Sequence, residues 1–246
     1  MSHYYAGTSN LVLPVKNKSF FPPEFADGTR LTYYASLFNS IEINASFYRM
    51  PVSRTINKWE TEVPDDFRFS FKLIKEVTHC GKQQFNLQPI AEFMGRIAAS
   101  GKRGCLLVQL PPKFSRDDMQ LGALLQILNC GGWPVAIEFR NPSWYTDDVY
   151  QLLSDNNAAM VLHDKHGSES PLENTSDDFT YLRFHGPENG YRGSYTDDFL
   201  HEYAGYINEW LNEGKTVYAY FNNTLGAAVQ NLQTLNRFVL EQSWSL

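Results

Sequence analysis

Cysteine is scarce in this chain, and what there is does not pair. Cys80, Cys105 and Cys130 are odd in number, widely spaced and without a C-x-x-C pair. That pattern gives neither a disulfide framework nor a cysteine zinc site, and a reducing cytoplasm is the expected compartment. Excess positive charge is missing as well. Lysine and arginine total 21 against 27 aspartates and glutamates, a formal net charge of −6. Proteins that coat duplex nucleic acid by bulk charge are usually basic, so only a locally basic cleft would serve such a partner. No apolar run approaches the ~20 residues of a membrane-spanning helix, and no membrane association is expected. The stretch Met1-Ser2-His3-Tyr4-Tyr5 lacks a basic region followed by an apolar run, so no secretory leader is expected. No G-x-G-x-x-G or P-loop opens a helix, which counts against an open doubly wound sheet. G-x-S-x-G, H-E-x-x-H and zinc-deaminase patterns are absent too, which disfavours a serine hydrolase or a zincin.

What is present is a chain of 246 residues, 43% hydrophobic and 15% aromatic, ample for a large core. Short apolar stretches alternate with amphipathic ones. Strands are expected at residues 4–8, 40–45, 68–72, 105–110, 135–140, 159–164, 180–185 and 216–221. Between them fall helical patterns at 31–38, 53–62, 89–99, 117–129, 147–156, 197–212 and 225–240. Residues 10–28 form a long loop with Pro14, Pro22 and Pro23, and 166–178 is too polar for a confident helix. Alternating strands and helices imply parallel pairing with right-handed crossovers, and eight such units in ~250 residues fit a (β/α)8 TIM-type barrel. No repeat, low-complexity segment or linker divides the chain, so residues 1–246 are expected to form one domain.

The strongest local signal is a spacing of two. Glu42 and Asn44, Ser70 and Lys72, Glu138 and Arg140, and Arg183 and His185 each stand at i and i+2 near the end of an expected strand. Side chains alternate along a strand, so both members of a pair share a face. The intervening Ile43, Phe71, Phe139 and Phe184 are apolar and suit the helix-facing side. Gln109, Asp164, Asn222 and Asn223 close other strands. In a barrel of this type the strand ends form the active face. A purely structural layer, with Glu42, Glu138 and Asp164 neutralising Lys72, Arg140 and Arg183, is the bland alternative. Burying six charges is costly, so a ligand-facing site is the better reading.

Other candidates carry less. His79 follows the third strand in a polar loop and suits a loop histidine as well as a site residue. His163 and His166 bracket Asp164 and Lys165 at a spacing that suits a metal, but lone histidine pairs in polar loops are usually just solvated. Tyr48, Tyr191 and Tyr195 suit a pocket wall or plain packing. Asn222-Asn223 before Gly226-Ala227-Ala228 offers amides and helix-start N–H groups to an anion, or simply caps the helix.

The same residues resemble a known family. Phe38-Asn39-Ser40-Ile41-Glu42-Ile43-Asn44 with Phe47-Tyr48 and Pro51, then Trp59, Pro64, Phe67, Phe69, Lys72 and His79, are similar to the YecE-like family, domain of unknown function 72. So are Gln109-Leu110-Pro111-Pro112, Glu138-Phe139-Arg140 with Trp144, Arg183-Phe184-His185-Gly186, and Phe221-Asn222-Asn223 with Gly226 and Ala227. The motifs run in order from Gly7 to Leu235. The resemblance implies a TIM-type barrel, with kinship to endonuclease-IV-like and sugar-isomerase-like barrels. It implies no established reaction. Family members often carry Gly-Trp-x-Tyr after the first strand, where this chain has Ser9-Asn10-Leu11-Val12. The first-loop wall of the pocket is therefore expected to differ.

Two functional expectations follow. In the first, an enzyme acts on a phosphate-containing substrate, either a sugar phosphate or nucleic-acid-like. Lys72, Arg140 and Arg183 hold the phosphate, with Asn44, Tyr48, His79, Gln109, Tyr195, Asn222 and Asn223 as further binding groups. Glu42 or Glu138 serves as general base and His185 as acid or base, with Asp164 as a further catalytic carboxylate. A divalent metal on Glu138, Asp164 and His185 is the cofactor these donors would allow, although histidines are too few for a trinuclear zinc site. In the second, the same residues form a non-catalytic module that binds a small anionic ligand or a partner.

Overall fold

A computed structural model describes residues 3–81 and 83–243; Met1 and Ser2, part of the stretch read above for a leader, lie outside them. The strands are β1 (Tyr4–Thr8), β2 (Ser40–Ile43), β3 (Arg68–Lys72), β4 (Arg103–Gln109), β5 (Val135–Glu138), β6 (Ala159–His163), β7 (Phe179–Phe184) and β8 (Thr216–Phe221). The helices are α1 (Arg30–Leu37), α2 (Ala45–Tyr48), α3 (Ser53–Glu60), α4 (Lys75–Thr78), α5 (Ile90–Ile97), α6 (Asp118–Asn129), α7 (Asp147–Asp155), α8 (Asp197–Asn212) and α9 (Ala228–Ser243). All ladders are parallel, in the order β1-β8-β7-β6-β5-β4-β3-β2. This is the expected (β/α)8 barrel. Among the described residues, no helix is long and apolar enough to cross a membrane.

The helices form where periodicity and caps agree. In α6, Leu121, Leu124, Leu125 and Leu128 fall on one buried stripe, and the Asp117 carboxylate accepts the Gln120 N–H at its start. Thr196 caps α8 in the same way through the Phe199 N–H. Inside the barrel, alternate strand residues build a second core from Tyr5, Cys105, Leu107, Val161, Tyr181 and Tyr220 among others. The opposite faces, with Phe71, Phe139 and Phe184, join the larger core beneath the helices. Each strand is thus buried on both sides, as a parallel sheet requires.

The barrel is sealed unusually between β1 and β2. No ladder joins them, only a bridge between Ser9 and Glu42. Side chains take its place. The Asn39 amide accepts the Ala6 N–H at 2.9 Å and donates to the Tyr4 carbonyl at 2.8 Å. The Tyr34 hydroxyl, reaching in from α1, accepts the Thr8 N–H at 2.7 Å and donates to the Ser40 carbonyl at 3.0 Å. Backbone groups that would otherwise be buried without partners are satisfied by this wedge. Gly7 is required beside it, because a Cβ there would stand 1.9 Å from the Ser40 carbonyl oxygen.

Element ends depart from the sequence expectation in instructive places. The strand expected at 40–45 stops at Ile43 and turns into α2. Ser46 drives that turn by donating to the Ile43 and Lys72 carbonyls at 2.6 and 2.7 Å. The helix expected at 225–240 starts at Ala228. The N–H groups of Leu225 and Ala227 bond the Tyr191 and Gly193 carbonyls instead. The strands expected to reach Arg140 and Asp164 end at Glu138 and His163.

Candidate functional site

Arg183 is the centre of the charged cluster. It lies on β7 inside the barrel and is 2% exposed, while Glu42 and Glu138 are wholly buried. Its Nε donates to Glu42 Oε2 at 2.9 Å and its Nη2 to Glu42 Oε1 at 2.7 Å. Its Nη1 donates to Glu138 Oε2 at 2.6 Å. Arg140 completes the chain, its Nε donating to Glu138 Oε1 at 2.6 Å and its Nη2 pairing with the same carboxylate. Ser9 Oγ and the Tyr181 hydroxyl donate to Glu42 at 2.6 and 2.7 Å. Burial alone would push both carboxyls up. The guanidinium charges oppose it, helped at Glu42 by hydrogen bonds, and hold Glu42 below and Glu138 well below the ordinary range.

His185 continues the network at the strand end. Its Nε2 faces Arg140 Nη2 at 2.9 Å and Arg183 Nη1 at 3.3 Å. Both neighbours can only donate, so Nε2 is the lone-pair nitrogen and Nδ1 carries the proton. Nδ1 has no hydrogen-bond partner and stands 3.6 Å from Asp164 Oδ1, a distance of electrostatic attraction rather than hydrogen bonding. Burial pulls the imidazole down to about 4 despite the pull of Asp164 and Glu138. His185 is therefore neutral at pH 7. Asp164 stands behind it, accepting the His185 backbone N–H at 2.6 Å and the Tyr195 hydroxyl proton. Tyr195 in turn accepts the Gly186 N–H at 2.5 Å.

Above this layer opens a cavity of about 200 Å³. Asn44, Tyr48, Lys72, Gln109, Arg140 and Arg183 line it, and Asn222 closes it from the β8 side. Asn10, Phe47 and Tyr191 complete the wall. Lys72 Nζ donates to Gln109 Oε1 at 2.9 Å and sits 4.2 Å from the centre of the Phe47 ring. Among the described residues no carboxylate lies within ion-pair distance of Lys72. Burial lowers its ammonium to about 8; Arg183 and Arg140 add to that, and Glu138 and Glu42 oppose it. Asn44 Oδ1 is buried at this wall without a hydrogen-bond partner.

Several expected site residues stand elsewhere. Glu42, Glu138 and His185 lie beneath the cavity rather than on its wall. Asp164 is not on the inward face of β6; Ala159, Val161 and His163 are, and Asp164 turns back to His185 and Tyr195. Asn223 faces the loop after β7, donating to the Gly193 carbonyl at 3.2 Å and to Asn231 at 3.1 Å. The N–H groups of Leu225 and Ala227, just ahead of α9, are taken by that loop and are not open to an anion. His79 borders a neighbouring pocket with Pro111, Pro112 and Phe114, and meets the mouth only through an edge contact with Phe47. Ser9 and Tyr181 belong to the network without having been singled out as its members, and His163 stands beside it, its Nε2 at the Phe139 carbonyl and its ring edge-on to His185. Tyr181 was legible, standing at i−2 from Arg183 on the same face.

A metal on Glu138, Asp164 and His185 does not fit this geometry. The Glu138 oxygens are occupied by guanidinium donors, and those of Asp164 by the His185 N–H and the Tyr195 hydroxyl. Among the described residues, no group of three His, Cys, Asp or Glu side chains is arranged to hold an ion.

Fold and mouth together define a parallel (β/α)8 barrel with a buried ion network under a polar, cationic C-terminal cavity. The chain belongs to the family described as "Protein of unknown function DUF72", whose sequence model matches residues 5–244. It is 29% identical over 259 residues to the UPF0759 protein YunF of Bacillus subtilis, covering 92% of each chain. Among solved structures it resembles a DUF72 family protein from Enterococcus faecalis, with TM-score 0.78 and 20% identity over 96% of this chain and 95% of that one. A DUF72 family protein from Thermotoga maritima is similar as well, with TM-score 0.69 and 22% identity over 97% of this chain and 99% of that one. At these identities the structures speak to the fold alone.

Proposed function

We propose that the barrel mouth binds a small phosphate-bearing metabolite, of the sugar-phosphate kind, and that the chain acts on it there as an enzyme. The observation that carries this reading is the unpaired Lys72 ammonium, sharing one small cavity with Arg140 and Arg183. The two acids below are already engaged by guanidinium groups, so Lys72 leaves positive charge over at the wall. A phosphate dianion supplies what is missing, with Arg140 and Lys72 as charged donors. The cavity, at about 200 Å³, is smaller than the ~300 Å³ and upward typical of drug-sized ligand sites, which favours a compact ligand over a polymer. The formal charge of −6 points the same way.

The carboxylates take a different part in this reading from the one their sequence suggests. Glu42 and Glu138 are ionised, buried and hydrogen-bonded on both oxygens, which leaves them poor proton acceptors. They hold the guanidinium groups in place. That saturation also favours a second reading, a non-catalytic module that senses the same small anion. Thermal unfolding with and without inorganic phosphate tests the binding step. Saturation at about 100-fold above Kd adds about 2.7 kcal/mol of stability, a shift of roughly 5–10 °C. The shift is expected to vanish in Arg140→Ala and in Lys72→Met. Absence of any shift in the wild type with phosphate or any sugar phosphate would refute the reading.

A further inference from the structure

We infer that Lys72 forms an imine with the carbonyl carbon of a small phosphate-bearing aldehyde or ketone held in the barrel mouth. The inference rests on the phosphate-binding reading and adds the reacting group to it. The position of Lys72 is unusual for a cation inside a barrel. It stands at the end of β3 on the cavity wall, and the acids nearest the network, Glu42 and Glu138, are taken by Arg183 and Arg140. Its polar contact is neutral, the Gln109 Oε1 at 2.9 Å. Gln109 is itself fixed, its Nε2 donating to the Leu110 carbonyl at 2.6 Å, so its oxygen is the atom turned to the amine.

Lysine becomes a nucleophile when its ammonium is made costly by lost hydration or by a neighbouring cation. Both conditions hold here. Burial lowers the Lys72 ammonium to about 8, with the Arg183 and Arg140 guanidinium groups adding to the effect. The Phe47 face, 4.2 Å away, retains some preference for the charged form. About a tenth of Lys72 is therefore the neutral amine at pH 7, and more as pH rises toward 8. That amine keeps one N–H on Gln109 and has its lone pair free.

The step balances within the cavity. The nitrogen lone pair forms a C–N bond to the carbonyl carbon, giving a carbinolamine. The former carbonyl oxygen then leaves as water with the two amine hydrogens, and a C=N double bond remains. Nothing is oxidised or reduced. Arg140 and its neighbours serve by anchoring the phosphate, which turns a bimolecular encounter into an intramolecular one.

The test treats the full-length protein with dihydroxyacetone phosphate and sodium borohydride, followed by digestion and mass spectrometry. Borohydride delivers a hydride to the imine carbon, the nitrogen takes a proton, and the link is fixed as a secondary amine. The adduct is expected on Lys72 ahead of the other lysines and to be suppressed by inorganic phosphate. Dihydroxyacetone without phosphate is expected to label Lys72 about tenfold less or weaker still, the factor that about 1.4 kcal/mol of phosphate binding provides. Lys72→Arg is expected to lose the adduct. A wild-type protein that is stabilised by phosphate but labelled only on other lysines overturns the imine and leaves anion binding standing. Equal labelling by the phosphate-free ketone overturns the substrate class. Neither shift nor adduct overturns both readings together.

Discussion

Arg183 grips Glu42 through two parallel hydrogen bonds, Nε to Oε2 at 2.9 Å and Nη2 to Oε1 at 2.7 Å, joining β7 to β2 across the barrel. The same guanidinium reaches Glu138 on β5 at 2.6 Å. Three strands far apart in sequence are thus tied at one level, directly under the mouth. Removing Arg183 leaves two buried carboxylates short of their cation. Arg183→Met is expected to lose about 3–5 kcal/mol of stability, the usual cost of breaking a buried pair from one side. Urea unfolding of the single variants and of the Arg183→Met/Glu42→Gln double variant measures it. The double variant should lose less than the sum of the singles. Strict additivity would contradict the pairing.

Acid should unfold the protein in two stages. His185 holds its proton only below about 4 when folded, against an ordinary value of 6.5. Between those values the unfolded chain binds more protons, so stability falls as pH drops from 6.5 toward 4, by roughly 3 kcal/mol in all. Glu42 and Glu138 are held below their ordinary 4.5, so their contribution is whole above that pH and is lost as pH falls through their folded values. Stability against pH in wild type and His185→Gln is the measurement, and the upper stage should be missing from the variant. At the alkaline side the sign is the reverse of the one expected for a paired lysine. The Lys72 ammonium is depressed from 10.5 to about 8, so deprotonation of the folded state makes stability climb across that window.

The arrangement around His185 fixes its tautomer. With two guanidinium donors on Nε2, nitrogen-detected NMR should find Nδ1 protonated and Nε2 bare at neutral pH. Asp164→Asn removes the neighbouring carboxylate that raises the imidazole value, so titration should move lower still. A protonated Nε2 at pH 7 would contradict the described network.

The β1–β2 seam should depend on one hydroxyl. Tyr34→Phe deprives the Thr8 N–H of an acceptor and the Ser40 carbonyl of a donor, both buried. A loss of about 1–3 kcal/mol is expected, the cost of an unsatisfied buried polar group. Hydrogen exchange at the Thr8 amide should quicken more than at amides of β5. Gly7→Ala should fail to fold, because the new methyl would meet the Ser40 carbonyl oxygen at 1.9 Å.

The barrel was legible in this sequence because both of its periodicities are clean. Ser70 and Lys72 stand two apart within β3 and so share a face, whereas Asn44, Arg140 and His185 lie just past the ends of β2, β5 and β7, where strand alternation no longer places them. The intervening Phe71, Phe139 and Phe184 do join the outer core. The phase failed where the strand boundary was misread. Taking β6 to end at Asp164 put the carboxylate inward, whereas the inward set is Ala159, Val161 and His163. Ser9 stayed hidden because its partner Glu42 is 33 residues away and no periodicity links a post-strand loop to a strand. The wedge of Tyr34 was invisible for a related reason, since a helix residue entering a sheet seam leaves no pattern. Nor does the sequence tell Asn222, which lines the mouth, from Asn223, which turns away to Gly193 and Asn231.

The most direct test of the cationic mouth is a crystal soaked in tungstate, a heavy phosphate mimic, with its position read from anomalous scattering. A peak is expected in the cavity within hydrogen-bond reach of Lys72 Nζ and the Arg140 guanidinium, displaced by added phosphate and absent in Lys72→Met. Tungstate bound only on the outer surface, with the mouth empty of it at a concentration that stabilises the protein, would rule out anion binding at Lys72 and Arg140.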